Sequence, residues 1–422
     1  MTDHIASATG TNEFADGAVP ESVTSSALHL ALIIIGGTIG FSVFIVAAQI
    51  GGALGYAQAA LAFALGSFVL GVLATLTSYI GARSRLSTYL LTQYAFGIRG
   101  AKLANAAVAI SLIGWYGVIS NFLGQAGRQM LMDAFGFTAP TWVMVLIASS
   151  LMIFITIRGF KGIDKLALYL VPIMLLFLGF AAWRSFFAGT GAPVTLTSDF
   201  SFQTAVSAVV GSYISGAIIQ PDYSRFAKSH SGAIWSVFVA LAVIFPIVQF
   251  LSAIPSVSVG NPDLLATMAA LGLSIPAFFL LALGAWSSNV LCLYSSGLSI
   301  ATLTDKINLQ HIIFVIGVIG TAVAFAPAQG YLVNFLVVLG VVIPPIGAIY
   351  VVDGFILRRF RYSANQIDFA WPALAAWLCG SGFGFASQSG FAQISGISSI
   401  DSLIVTVLAI LAFTKAQSHL FR

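Results

Sequence analysis

The chain has 422 residues, of which 59% are hydrophobic and 7% charged, with a mean hydropathy of +1.00. Ordinary soluble domains carry about 25% charged residues, so this composition excludes one and indicates an integral membrane protein. The net charge of +4 comes without a basic cluster of the kind that binds nucleic acid, and the two cysteines, both in apolar runs, suggest no disulfide framework.

The first 27 residues are polar, hold Asp3, Glu13, Asp16 and Glu21 without Lys or Arg, and lack the basic start of a signal peptide. They read as a cytoplasmic tail. Apolar runs of membrane-crossing length follow at roughly 28–54, 57–80, 103–132, 139–158, 165–187, 203–223, 232–255, 278–302, 310–327, 331–357, 370–388 and 398–416. Twelve transmembrane helices are therefore expected. Lys and Arg are retained in cytoplasmic loops. Arg83, Arg85, Arg99 and Lys102, then Arg158, Lys161 and Lys165, then Arg225 and Lys228, Lys306, Arg358, Arg359 and Arg361, and the tail with Lys415 and Arg422 all fall on one side. Both termini are placed inside, with 417–422 as a short C-terminal tail.

The first run contains Gly36-Gly37-Thr38-Ile39-Gly40, and the sixth contains Gly211, Ser212, Tyr213, Ser215 and Gly216 at its centre. Glycines and hydroxyls disfavour a regular helix, and freed backbone groups at mid-membrane are tolerated where they line a cavity or a ligand. Broken helices of this kind mark transporter binding sites. A small-residue packing face is the other explanation of the same residues. Gly36 lies 175 positions before Gly211, and Gly114-Trp115 lies 174 before Ser288-Asn289. The connections at 81–102 and 256–277 repeat at the same offset. A five-helix unit over 28–190 and a second, inverted one over 200–360 would account for this, with chance spacing among 41 glycines as the competing explanation. The runs within 368–416 stand outside the repeat as accessory helices.

All 13 acidic residues fall in tails, loops or helix ends, Asp353 being the deepest, and the five histidines are placed similarly. A proton relay inside the membrane normally uses a buried carboxylate or imidazole, so coupling to a metal cation held by carbonyls and hydroxyls is favoured. An enzyme lacks its groups: there is no His-Glu-x-x-His and no histidine placed to activate a core serine. No phosphate-binding Gly-x-x-x-x-Gly-Lys-Ser/Thr occurs either, which argues against an ATP-driven pump. In the eighth run Ser287 and Ser288 offer oxygens to a hard cation, or else bond back to their own helix. Trp115 lies too deep for the interfacial belt. With Tyr213 and the amide of Asn289 it suits a flat heterocycle, stacked on rings and read at its edge, although Asn289 could equally tie helices together for about 0.6 kcal/mol.

At these residues the chain resembles the nucleobase-cation symporter family one, most nearly its cytosine permeases, from about Pro20 to Ala416. The motifs are SYIGARSRLSTYLL with FGIRG (78–100), IGWYGV (113–118), VVGSYIS with DYSRF (209–226), WSSN with YSSGL (286–298) and IPPIGAIYVVDGFILRRFRY (343–362). The resemblance implies an all-α leucine-transporter-like fold of twelve helices with helices 1 and 6 discontinuous. It also implies import of a pyrimidine-type nucleobase by sodium symport with alternating access, through a monomer surrounded by lipid in a bacterial inner membrane. Uracil, a hydantoin or allantoin, a hydroxymethylpyrimidine, a purine and proton coupling are the alternatives. The substrate residues it implies are Trp115, Ser212, Tyr213, Ser215 and Asn289. For sodium it implies the carbonyls of Gly36, Ile39 and Gly284 with the hydroxyls of Ser287 and Ser288. Leu112 stands where cytosine permeases carry Gln, which removes half of the expected edge recognition.

Overall fold

The computed structural model describes residues 18–20, 24–38, 40–158, 163–188, 201–301, 307–362 and 367–420. Helices run along every apolar stretch expected from the sequence. In chain order they are α1 Ala27–Thr38, α2 Phe41–Ser84, α3 Thr88–Phe96, α4 Ile98–Phe135, α5 Thr141–Arg158, α6 Ile163–Ala188, α7 Phe202–Ile218 and α8 Gln220–Ser224. They continue with α9 His230–Val259, α10 Leu264–Ala270, α11 Ser274–Ala301, α12 Leu309–Ala324, α13 Leu332–Val342, α14 Pro344–Val352, α15 Trp371–Gln388 and α16 Ser398–Leu420. Seven helical stretches among the described residues are long and apolar enough to cross a membrane, and shorter apolar helices pack between them.

Two expected runs merge in α2, which turns at Gly55 with φ 73° and ψ 177°. A side chain rarely adopts that φ, and glycine does so without steric cost. The connection at 81–102 holds the short helix α3, and the one at 256–277 holds the short helix α10. Their starts are 264 − 88 = 176 positions apart, so the offset read from the glycines recurs in the loops.

The helix breaks follow the sequence in one place and depart from it in another. α1 stops at Thr38 and α2 starts at Phe41, with Gly40 extended at φ −125° and ψ 161°. In the sixth run, by contrast, α7 passes regularly through Gly211–Gly216 and breaks only at Ile219, ahead of Pro221. The expected interruption at 211–216 is corrected to this later position. Packing explains those glycines: a Cβ on Gly211 would overlap the carbonyl of Leu336 on α13, and one on Gly216 would lie 2.7 Å from the Tyr213 ring. The carbonyls freed by the actual break have donors from neighbouring helices. Thr77 on α2 donates to Ala217 O at 2.7 Å, and Tyr350 on α14 donates to Ile218 O at 2.6 Å.

The basic loops at 81–102, 224–231 and 358–362 meet at one end of the bundle in a polar lattice. Asp353 pairs with Arg358 at 2.9 Å, and Arg358 Nη2 donates to Tyr94 O on α3 at 2.7 Å. Asp222 accepts from the amide of Thr88 at the other end of α3, at 2.8 Å. The chain ahead of α1 lies across this end: Val19 N donates to Arg85 O, and Ser25 forms a parallel bridge to Ala227.

Candidate functional site

Helix α4 is the spine on which three other helices converge. Its length makes it continuous through the bundle, and Ser111, Trp115 and Ser120 along it are buried. Ser111 donates to Val108 O at 2.7 Å and lies 2.9 Å from Ser215 Oγ on α7. Because the single hydroxyl hydrogen of Ser111 is already used, Ser215 is the donor between them. Four residues on, Trp115 is 6% exposed and meets Phe335 of α13 edge to face, with centroids 5.5 Å apart and planes at 77°. Gly114 makes room for that ring, since a Cβ there would lie 2.6 Å from Phe335 Cε2. Further along, Ser120 accepts from Asn289 Nδ2 of α11 at 3.0 Å.

Asn289 is fully buried, and its Oδ1 has no hydrogen-bond partner. A buried polar atom left unpaired costs about 1–3 kcal/mol, and Asn289 Oδ1, one of several such atoms among the described residues, is free to accept from a ligand or a water. An amide held at one end by Ser120 presents an acceptor at the other. Ser212 bonds back to Val209 O at 2.7 Å within its own helix, and Tyr213 packs tilted against Phe245 with centroids 5.7 Å apart. Ser215 and Trp115 therefore meet on one side of α4, at positions 111 and 115, whereas Asn289 meets Ser120, about 140° round the helix from Trp115 and about 7.5 Å along it. Ser212 and Tyr213 sit on neighbouring positions of α7 and are engaged locally.

Ser111, Ser120 and Phe335 belong to this crossing and were missed from sequence. Ser111 had a signal, since it stands four residues before Trp115 on the same helical face. Phe335 had none; its role arises from the tertiary approach of α13. Leu112 is in the core at 9% exposure, beside the crossing.

For the cation, Gly36 lies half-buried in the last turn of α1, Gly284 is buried within α11, and Ser288 is half-buried four residues on. Ile39 and the side chain of Ser287 lie outside the described residues. Thr38, between the glycines of the first break, turns its hydroxyl to Ile35 O at 2.7 Å. Helix α11 touches α2. What these residues offer is oxygen from backbone and hydroxyl, the donor set that hard cations prefer.

A cavity of about 20 Å³, room for about one water, lies away from Trp115 between Phe44, Met174, Phe177, Leu178, Leu264, Met268, Ala277 and Leu281. It is wholly apolar, and a heterocycle would find neither a stacking indole nor an edge partner there. The buried polar crossing on α4 is the better site on chemical grounds, with Phe335 occupying the space beside Trp115.

Residues 19–405 match the family model described as permease for cytosine/purines, uracil, thiamine, allantoin. The chain belongs to this family. It is a transporter, not an enzyme. It is 28% identical to the cytosine permease of Escherichia coli (strain K12) over 376 residues, 86% of this chain and 87% of that one. It is 25% identical to the hydantoin permease of Microbacterium maritypicum over 372 residues, 80% and 74% of the two chains. Among solved structures, it superposes on the nucleobase-cation-symport-1 family transporter Mhp1, closed with bromovinylhydantoin bound, with a TM-score of 0.78 at 19% identity, covering 95% of this chain and 94% of that one. The inward-facing conformation of Mhp1 gives 0.80 at 18% identity, covering 95% and 93%. A Na+-coupled sialic acid symporter gives 0.67 at 14% identity, covering 96% and 93%. The fold of this permease is the fold of those transporters.

Proposed function

We propose that this permease imports a pyrimidine-type nucleobase, cytosine or a close relative, together with sodium. It works by alternating access across a bacterial inner membrane, as a monomer of twelve crossings with both termini and the polar lattice on the cytoplasmic side. Residues 28–190 and 200–360 are its two inverted repeats, with the helices within 368–416 as accessory elements. The carrying observation is that a buried indole, Trp115, and a buried amide oxygen without a partner, Asn289 Oδ1, are both held along α4, five residues apart by way of Ser120. Trp115 stacks the ring, with Phe335 beside it. Asn289 Oδ1 accepts from a ring N–H or an exocyclic amine, and Ser212, Tyr213 and Ser215 line the α7 side.

With Leu112 apolar, one edge contact expected for cytosine is missing, and this favours uracil or a hydantoin as the alternative cargo. Sodium is read as the co-substrate, bound by the carbonyls of Gly36, Ile39 and Gly284 and the hydroxyls of Ser287 and Ser288. Sodium and the heterocycle would then raise each other's affinity by the same factor, as reciprocal linkage requires.

Uptake of radiolabelled cytosine, uracil and hydantoin into proteoliposomes at fixed pH, with sodium or with choline in its place, tests the reading. Uptake of one ring compound that collapses in choline is the expected result, and Ser288→Ala should weaken both sodium dependence and apparent affinity. Undiminished uptake in choline, or uptake that follows an imposed pH gradient, overturns sodium coupling and moves attention to Asp353 and Asp222.

A further inference from the structure

The two accessory helices do more in the structure than fill space beside the repeats. The tenth apolar run, 331–357, is helix 10 of the bundle, distinct from the short α10, and is broken between α13 and α14 by Ile343-Pro344-Pro345. Pro345 has no N–H for Val341 O, the carbonyl four residues back, and the N–H of Ile346 goes to Ile343 O at 3.1 Å instead of to Val342 O. Two adjacent carbonyls are thus freed inside the bundle, where each needs a donor. Both donors come from the accessory pair. Ser402 on α16, fully buried, donates to Val341 O at 2.7 Å, and Trp377 Nε1 on α15 donates to Val342 O at 2.8 Å.

The local packing is arranged for this reach. Gly384 on α15 lets Val341 approach, since a Cβ there would lie 2.7 Å from Val341 Cγ1 and 2.9 Å from Ser402 Cβ. On either side of the break, helix 10 bears on other parts of the transporter: α13 carries Phe335 to Trp115, and α14 carries Tyr350 to the broken end of α7. The angle at Ile343–Pro345 sets these two contacts relative to one another.

We infer that Ser402 and Trp377 are positioning residues for transport: they hold the two carbonyls freed by the helix-10 proline break and so fix the bend that seats Phe335 beside the substrate ring. The link from bend to transport rests on the reading of Trp115 as the stacking residue; the bend itself does not.

The bend can be read directly. Val338 and Ile356 are exposed on the two sides of the break, at 42% and 50%. Spin labels on cysteines at these positions, with Cys292 and Cys379 replaced by alanine, span a stretch that an unbroken helix would make about 27 Å long at 1.5 Å per residue. The full-length protein in nanodiscs should give one narrow inter-label distance, shorter than that value. Ser402→Ala and Trp377→Phe should each broaden it or add a second, longer population. Adding Pro345→Ala to Ser402→Ala restores an amide donor for Val341 O, and the double variant should return to a single distance.

In the unlabelled variants, apparent affinity for whichever of radiolabelled cytosine, uracil or hydantoin is taken up should fall about tenfold, the factor corresponding to 1.4 kcal/mol. Unchanged distances in both single variants overturn the inference. So does a double variant as broad as Ser402→Ala alone, since the broadening would then come from lost packing. Broadened distances in a protein whose uptake is indifferent to Trp115→Ala would leave the clamp standing and remove the substrate reading instead.

Discussion

The crossing on α4 and the basic end of the bundle both bury polar groups, and they satisfy them differently. At the basic end each of the groups described has a strong partner: Asp353 has Arg358, Arg358 also has Tyr94 O, and Asp222 has the amide of Thr88. Aromatic rings close over the same region, with Arg83 lying 4.3 Å above the Phe360 ring and Tyr79 stacked on Phe355. At the crossing the contacts are single hydroxyl and amide bonds, Ser215 to Ser111 and Asn289 to Ser120, and Asn289 Oδ1 is left over. A lattice whose charges are paired contributes stability and specificity of assembly, even though Thr88 Oγ1, Ser224 Oγ and Tyr362 Oη there lack partners among the described residues. A crossing that leaves an acceptor over retains free energy that a ligand can release by supplying the missing partner. The two regions should therefore fail in different ways when cut.

The largest expected effect is on stability at the basic end. Arg358→Met strips Asp353 and Tyr94 O of their partner, and leaving the buried Asp353 carboxylate without its hydrogen-bond donor costs about 1–3 kcal/mol. The thermal midpoint should fall clearly, with part of the loss recovered in Arg358→Met/Asp353→Asn, where no buried charge remains. An unmoved midpoint would mean that the lattice is screened by water and is not structural.

Next is Trp115→Ala, in which apparent affinity for the transported ring should fall about ten- to hundredfold, since stacking a base on an aromatic is worth about 1–3 kcal/mol, beyond the stability lost with a buried side chain. Lost stability with affinity intact would assign Trp115 and Phe335 to packing alone.

Tyr350→Phe joins the two regions, because it removes the donor to Ile218 O at the α7 break. An orphaned buried carbonyl costs about 1–3 kcal/mol, so circular-dichroism melts should show a moderate loss. No loss would indicate that another donor reaches the break.

The smallest effect sharpens the comparison most. Asn289→Ala should reorder competition among cytosine, uracil and hydantoin more than it weakens all of them, because a group that pairs with a substrate edge discriminates between analogues. If Asn289 only tied α11 to α4, inhibition constants would shift uniformly and the midpoint would fall by about 0.6 kcal/mol worth of stability.

Much of this was legible in the order of residues. The composition and the length of the apolar runs dictate membrane-crossing helices, because hydrocarbon accepts a backbone only when its hydrogen bonds are closed within the element. The glycines around Thr38 mark the first break because their effect on φ and ψ is local, and the short helices α3 and α10 recur at nearly the offset already visible between Gly36 and Gly211. Trp115 and Asn289 could be singled out because an indole and an amide lie deep in apolar runs at matching offsets in the two proposed repeats, and Ser215 because it stands between Gly211 and Gly216.

What the chain order left undecided was which of two physical uses each small residue serves. Gly211 and Gly216 suit a broken helix and a close helix contact equally well, and the approach of α13 and of the Tyr213 ring chose the second. The break then falls at Ile219, where Thr77 and Tyr350, 140 and 132 residues away in sequence, supply the donors. Phe335 beside Trp115, and Ser402 and Trp377 beside the proline break, are likewise contacts between segments far apart in the chain. Local sequence can show that a carbonyl will be freed, as Pro345 does. Only the packed bundle determines which distant side chain reaches it.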